Sequence, residues 1–125
     1  MGVISSLLGN AGVVPPNKLH GDLYLLLAEE EKIQVGFRVM RDTFVFTDKR
    51  LMIINVQGVS GKKVEYESVP YGKITRFSVE TAGSFDLDAE LKIWVGSEVD
   101  PIQKRFNKKV NIYDLQRVLA NYTLQ

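Results

Sequence analysis

Hydrophobic and polar residues alternate with a period of two through the middle of the chain, from Lys32 to about Asn107. Successive side chains of a β-strand point to opposite faces, so this pattern predicts strands with one buried face. The first hairpin is expected to turn at Arg41 and Asp42. Many short strands at hairpin spacing are typical of an antiparallel barrel or sandwich. The seven expected strands span residues 33–39, 43–47, 51–56, 63–69, 74–81, 88–95 and 102–108.

The sixth of these strands has the clearest alternation. One face is apolar and is expected to be buried, with Leu87, Ala89, Leu91, Ile93 and Val95. The opposite face is polar except for the single tryptophan of the chain, and it carries Asp86, Asp88, Glu90, Lys92 and Trp94. An outward tryptophan on a strand is either covered by a terminal segment or part of a binding surface. The sequence leaves both interpretations of Trp94 open.

A stripe of leucines precedes the strands. After Asn17, a good helix N-cap residue, leucine recurs at helical spacing at positions 19, 23, 26 and 27. This predicts an amphipathic helix that ends in a solvated turn at the glutamates 29–31. Residues 9–12 (GNAG) and the prolines Pro15 and Pro16 interrupt regular secondary structure. They set residues 1–16 apart as a short helical N-terminal arm. Residues 17–125 are then expected to form one domain.

A second amphipathic helix is expected after the last strand. Asn111 is a suitable N-cap, and Asp114 places a carboxylate in the first turn. The apolar stripe consists of Ile112, Leu115, Val118, Leu119 and Tyr122. Such a stripe must cover an apolar surface, and the simplest candidate is the open end of a barrel.

The composition excludes several classes of function. The chain has 125 residues, 45% of them hydrophobic, which suits one domain with its own core. A formal net charge of +1 argues against nucleic-acid binding. The absence of cysteine excludes disulfides, thiol nucleophiles and thiolate zinc sites, and a single histidine excludes a multi-histidine metal centre. No apolar run is long enough to span a bilayer, and a cytoplasmic location is expected.

The segment Gly58–Lys63 (GVSGKK) resembles a phosphate-binding loop only in composition. That loop needs four residues between its glycines and a helix after its lysine, whereas this segment has two residues and leads into a strand. A hairpin loop is therefore predicted. The basic residues Arg38, Arg41, Lys62 and Lys63 gather at one mouth of a barrel if the first and third hairpin loops lie side by side. Such a cluster is suited to phosphate or to an acidic partner.

No candidate for catalysis or metal binding emerges. The carboxylates of Asp86, Asp88 and Glu90 share a strand face, but a rise of about 3.3 Å per residue spreads them over roughly 13 Å, too far for one ion. His20 has no nucleophile or second base at a catalytic spacing. We expect no metal, no cofactor and no enzymatic activity.

Several stretches resemble the bacterial pleckstrin-homology-like (PH) domain family, and together they cover nearly the whole chain. They are residues 7–11, 46–51 (FTDKRL), 57–58, 61–66, 70–71, 74–83 and 85–94. The resemblance implies a mainly β, PH-like split barrel. In this fold two nearly orthogonal antiparallel sheets with seven strands are capped by a C-terminal α-helix. It further implies a ring-shaped cyclic homo-oligomer, a pentamer being favoured, with a hydrophilic surface that recruits another protein, and it brings no catalytic residues.

The leading hypothesis is therefore a non-enzymatic interaction module that assembles into a ring and binds an unidentified protein partner. The candidate interface residues are Trp94, Lys92, Glu90, Asp88, Asp86, Asp48, Lys49 and Arg50. The alternative is a peripheral membrane module that binds anionic phospholipid headgroups through Arg38, Arg41, Lys62 and Lys63. The nearly neutral net charge argues against membrane binding.

Overall fold

A computed structural model describes residues 2–10, 12–19, 21–81, 88–106 and 112–124. Within these ranges the chain forms eight strands and two α-helices. The helices are α1 (Gly2–Leu7) and α2 (Ile112–Thr123). The strands are β1 (Val13–Val14), β2 (Ile33–Val39), β3 (Asp42–Thr47), β4 (Arg50–Gln57), β5 (Lys63–Pro70), β6 (Ile74–Glu80), β7 (Ala89–Val95) and β8 (Ile102–Phe106). The seven strands expected from the alternation correspond to β2–β8.

The strands form two antiparallel sheets. Sheet A has the order β1-β2-β3-β4-β5, and sheet B has the order β6-β7-β8. Their facing sides enclose the main hydrophobic core, which includes three fully buried phenylalanines at positions 37, 44 and 46 and the β7 residues Leu91 and Ile93. The burial of these two β7 residues confirms the alternation predicted for that strand, with Glu90, Lys92 and Trp94 on the outer face.

One polar cluster joins the two sheets. The Nζ atom of Lys104 in β8 donates a hydrogen bond to Asp42 Oδ2 of β3 at 3.0 Å and a second one to Asn55 Oδ1 of β4. The other carboxylate oxygen of Asp42 accepts the backbone N–H of Val56 at 2.8 Å. These bonds fix the relative position of β3, β4 and β8.

Helix α2 packs its apolar face onto the core, as its stripe predicts. Leu115, Val118 and Leu119 are fully buried, and Ile112 is almost fully buried. Near the end of the helix, the ring of Tyr122 stacks on Tyr71 with centroids 4.6 Å apart. The predicted N-cap Asn111 lies outside the described residues.

The segment between residues 16 and 27 is not the expected α-helix. Pro16–Lys18 and Gly21–Leu26 form two short 3-10 turns, and Leu19 between them is extended, with φ −83° and ψ 159°. Asn17 lies inside the first turn, which begins at Pro16, so it is not an N-cap. The leucine spacing still has a packing role, because Leu19, Leu23 and Leu27 cover Val45 and Met52 on the outer side of sheet A.

The N-terminal residues contact the rest of the fold directly. Leu7 of α1 is buried in the main core, and Asn10 Nδ2 donates a hydrogen bond to Asp114 Oδ2 of α2 at 3.1 Å. Strand β1, which the sequence pattern missed, pairs Val13 and Val14 with Phe37 and Gly36 of β2. Two residues are too few to show an alternation.

The first hairpin turns one residue earlier than expected. Met40 and Arg41 form the turn, and Met40 has a positive φ of 57°. Asp42 is already the first residue of β3 and pairs with Val39 of β2. The hydrogen bonds of its carboxylate to Val56 and Lys104 hold it in the sheet.

Candidate functional site

The outer face of sheet B carries a tryptophan among charged residues. The Arg76 guanidinium of β6 lies 3.9 Å from the ring centroid of Trp94, its register partner on β7. We call this surface the Trp94 face and define it as Arg76, Ser78, Glu90, Lys92, Trp94 and Arg105. Trp94 is half-buried, and an exposed arginine from the neighbouring strand stacks on its ring. It therefore remains partly accessible to a partner.

The other candidate residues predicted for this strand lie on or beside the Trp94 face, except for one. Asp88 is half-buried and approaches Arg105, with Oδ2 and Nε 3.9 Å apart. Glu90 pairs across the sheet with Arg105, and Lys92 pairs with Gln103. Asp86 lies outside the described residues. The Trp94 face therefore carries three cations, Arg76, Lys92 and Arg105, and one carboxylate, Glu90, with the Asp88 carboxylate near Arg105 at its margin.

The candidates Asp48, Lys49 and Arg50 lie on a different element, the turn between β3 and β4 of sheet A. Asp48 and Lys49 are exposed there. Arg50 instead binds inside the domain: its Nε donates to Glu31 Oε2 at 2.9 Å, and its Nη2 donates to Glu31 Oε1 at 3.0 Å. It also reaches the Leu26 carbonyl at 2.7 Å and Ser68 Oγ at 2.8 Å. The Arg50 guanidinium is therefore engaged in hydrogen bonds within the domain rather than presented to a partner.

Glu31 was expected in a solvated turn, and that prediction is wrong. Its side chain is only 1% exposed. Besides Arg50, its carboxylate accepts hydrogen bonds from the Thr47 hydroxyl at 2.6 Å and from the Ala28 N–H at 2.8 Å. Burial raises the pKa of Glu31, but the hydrogen bonds from Arg50, Thr47 and Ala28 outweigh burial and hold that pKa below its ordinary value.

The basic residues of the first and third hairpins do meet. Arg38, Arg41 and Lys62 line one open groove of about 440 Å³ on the outer side of sheet A, together with Lys18. Asp22 contributes one carboxylate to the same groove. The apolar floor of the groove consists of Leu19, Ile54, Val56, Val64 and Tyr66. Lys63, the fourth predicted member, is exposed at the start of β5 and does not line the groove.

The loop beneath this groove is the hairpin loop that the glycine spacing predicts. Gly58 and Gly61 both have positive φ, 74° and 72°, which glycine adopts without strain. The Arg41 guanidinium donates to the Gly58 carbonyl and lies within 3.5 Å of the position that a Cβ of residue 61 would take. A Cβ at position 61 would make only ordinary contact with Arg41, so it is the positive φ that favours glycine there.

Two charged residues of the groove were not identified from sequence. Lys18 and Asp22 come from the 3-10 turns of the N-terminal segment, about 20 residues before Arg38 in the chain. Nothing in their local sequence marks them as site residues. Their position follows from the path of the segment across sheet A, which the leucine spacing indicates only as a packing interaction.

Within the described ranges, no three histidine, aspartate or glutamate side chains are placed so that they could hold a metal ion. None of the helices in that part of the chain has the length and apolar character needed to cross a bilayer.

The fold and sequence comparisons define the class of this protein as a PH-like domain. A PH domain structure from Shewanella amazonensis SB2B superposes with a TM-score of 0.84 and 44% sequence identity, and it covers 99% of this chain and 100% of that one. A protein with a pleckstrin-homology domain from Shewanella loihica PV-4 gives a TM-score of 0.76 and 47% identity over 92% of this chain and 98% of that one. The expected PH-like split barrel is therefore confirmed.

Sequence relatives agree with this class. The family description of the bacterial PH domain matches residues 2–123, so the chain belongs to the bacterial PH domain family. The uncharacterized protein YjqA of Bacillus subtilis strain 168 is 51% identical over 96% of this chain and 97% of its own length. The uncharacterized protein YozO of the same organism is 31% identical over 80% of this chain and 85% of its own length. PH-like domains are generally non-catalytic.

Proposed function

We propose that this bacterial PH domain is a non-enzymatic interaction module. It assembles into a ring-shaped homo-oligomer, with a pentamer favoured, and it recruits a protein partner. The supporting observation is the stacked pair of Arg76 and Trp94 on the Trp94 face. Arginine and tryptophan are enriched among the few residues that carry most of the energy of an interface. The cation–π contact of such a pair, in which the arginine is exposed, strengthens when a second chain excludes the remaining water.

The ends of the two sheets support the same proposal. Strand β5 ends sheet A and strand β6 ends sheet B, so each leaves one edge available for pairing. The two edges belong to different strands with different side chains. A contact between unlike surfaces on neighbouring copies is heterologous, and a heterologous contact forms a ring when its rotation closes.

The oligomeric state tests this proposal. We expect the wild-type chain to elute as an assembly with about five times the chain mass in light scattering coupled to size exclusion. Trp94→Ala should shift the population towards the monomer, because it removes the apolar ring that Arg76 covers. Val59→Ala is a matched control, since Val59 is a fully exposed apolar residue in the β4–β5 loop. A wild-type monomer at high micromolar concentration would refute the ring, and unchanged assembly of Trp94→Ala would remove Trp94 from the contact.

A second candidate function is supported by the loops around the basic groove. Met40 at the tip of the first hairpin is 56% exposed, and Val59 in the next loop is fully exposed. Both apolar tips lie in the loops that contribute Arg41 and Lys62. Apolar tips beside cations suit a peripheral contact with an anionic membrane, in which the tips enter the interface and the cations bind headgroups.

Vesicle sedimentation tests the second candidate. We expect binding to vesicles that contain phosphatidylglycerol at low salt, and weaker binding as ionic strength rises, because the cations are exposed and screened. A Met40→Ser/Val59→Ser double variant should bind several-fold more weakly, whereas Val99→Ser, at an exposed valine between β7 and β8, serves as the control. Absence of sedimentation at low salt would refute membrane binding and leave the ring proposal unaffected.

A further inference from the structure

The groove on the outer side of sheet A has an apolar floor and a basic rim. We propose that it binds a small amphipathic anion, with one phosphate or carboxylate head on a short apolar body. The head lies at the rim, near Arg38 and Lys62, and the apolar body lies along Ile54 and Val64. This site is independent of the ring proposal. It uses some of the cations of the second candidate function but does not require a membrane.

The charge of the rim favours an anion. Four cations face the groove, from Lys18, Arg38, Arg41 and Lys62, against the single carboxylate of Asp22. Among the described residues, Lys18, Arg38 and Lys62 take part in no ion pair. The chain as a whole has a net charge of only +1, so this excess of positive charge is a local feature of the groove. An anion in the groove gains from all four cations together.

The floor of the groove favours an apolar body. Tyr66 and Ile54 continue the apolar outer surface of sheet A that Leu19, Leu23 and Leu27 cover further along. The groove begins where this cover ends, and its apolar residues Ile54, Val56, Val64 and Tyr66 are only half-buried there. A volume of about 440 Å³ lies within the range of small-molecule sites, and it is far larger than an inorganic phosphate needs. A ligand that fills it removes this apolar surface from water.

A series of alkyl phosphates tests the site directly. Inorganic phosphate, butyl, hexyl and octyl phosphate are titrated by calorimetry below their micellar concentrations, with octyl glucoside as a neutral probe of equal chain length. We expect affinity to rise with chain length, because each methylene removed from water contributes up to about fourfold. Octyl phosphate should therefore bind at least tenfold more tightly than inorganic phosphate, and raising the salt concentration should weaken it.

Variants locate the binding. Arg38→Gln/Lys62→Gln should weaken octyl phosphate at least tenfold, whereas Lys49→Gln/Lys73→Gln removes two exposed cations away from the groove and should leave binding unchanged. Val64→Asp should abolish binding, because it places a carboxylate on the floor. If Val64→Asp proves unfolded in a thermal melt, the nearly isosteric Val64→Thr gives the same test by reducing the gain with chain length.

Four other results would contradict the proposal, and one would support it. Affinity that does not change with chain length would show a bare anion site, and equal binding of octyl glucoside would show unspecific apolar contact. No saturable binding of octyl phosphate refutes the site. Vesicle binding that octyl phosphate does not displace would assign the cations to a membrane surface and overturn the groove site. Displacement, together with unchanged octyl phosphate binding in the Met40→Ser/Val59→Ser variant, would support it.

Discussion

Arg50→Ala is expected to lower the free energy of unfolding by about 3–5 kcal/mol, the usual cost of removing one partner from a buried ion pair. Arg50 donates two hydrogen bonds to Glu31, whose side chain is 1% exposed. Its loss leaves a buried carboxylate without its counter-charge. It also removes the bonds that tie the N-terminal segment, at the Leu26 carbonyl, to Ser68 on β5. Denaturant unfolding at neutral pH and fixed protein concentration measures the change.

Two controls separate the buried pair from a general effect of losing a cation. Lys49→Ala removes the exposed positive charge of the preceding residue and should change the free energy of unfolding by no more than about 0.5 kcal/mol. Adding Arg50→Ala to a chain that already carries Glu31→Gln should cost clearly less than Arg50→Ala alone, since no buried charge is left unpaired. An equal loss in the two backgrounds would show that the ion pair is not the reason.

The same pair has a pH signature with a defined sign. The pKa of Glu31 is lowered in the folded state, so its contribution to stability is fully present above its ordinary value of 4.5 and is lost as the pH falls through the folded-state pKa. In Arg50→Ala the carboxyl keeps its burial and loses its main hydrogen-bond donor, so it becomes neutral at a higher pH. The stability difference between wild type and Arg50→Ala should therefore narrow on acidification from pH 7 to about pH 4.

Leu119→Ala is expected to destabilise the fold by about 2–5 kcal/mol, because it opens a cavity where helix α2 meets the core. Leu119 is fully buried and belongs to the same cluster as Phe46 and Leu91 from the two sheets. Leu119 therefore belongs to the core that the two sheets share. The same denaturant experiment measures the effect.

Leu124→Ala provides a matched control for this prediction. Leu124 follows the end of α2 and is 72% exposed, so the same chemical change there opens no cavity. Its stability should stay within about 0.5 kcal/mol of wild type. Similar losses for the two variants would mean that α2 does not seal the core as described.

The parts of the fold that depend on local patterns could be predicted from sequence. The β7 alternation placed Leu91 and Ile93 in the core and Trp94 outside, because the period of two relates each residue to its face directly. The stripe of α2 was equally informative, since all its leucines and its valine are buried. The family resemblance added the arrangement of the two sheets, which no local pattern contains.

The parts that depend on distant contacts could not be predicted. Glu31 and Arg50 are 19 residues apart, and each lies in a polar stretch that looks exposed in the sequence. Leucine spacing indicated a helix after Asn17, but an extended Leu19 separates two short turns while keeping Leu23 on sheet A. A spacing of four residues places side chains on one side of a helix. Here the same spacing places them on one side of a non-helical segment that packs on the sheet.

The basic groove was predicted in part. Arg38, Arg41 and Lys62 come together because the strands of sheet A are consecutive, so the loops of the β2–β3 and β4–β5 hairpins lie side by side. Lys63, although adjacent to Lys62 in the chain, does not line the groove. The apolar floor could not be predicted, because the strand pattern does not show how much of the outer surface the N-terminal segment covers.

The stacking of Arg76 on Trp94 has a practical consequence. Trp94 is the only tryptophan in the chain, so intrinsic indole fluorescence comes from a single position on the outer face of sheet B. The emission maximum of an indole depends on its contact with water. The emission maximum, followed as the protein is diluted, therefore reports the hydration of that one surface without a dye or a tag.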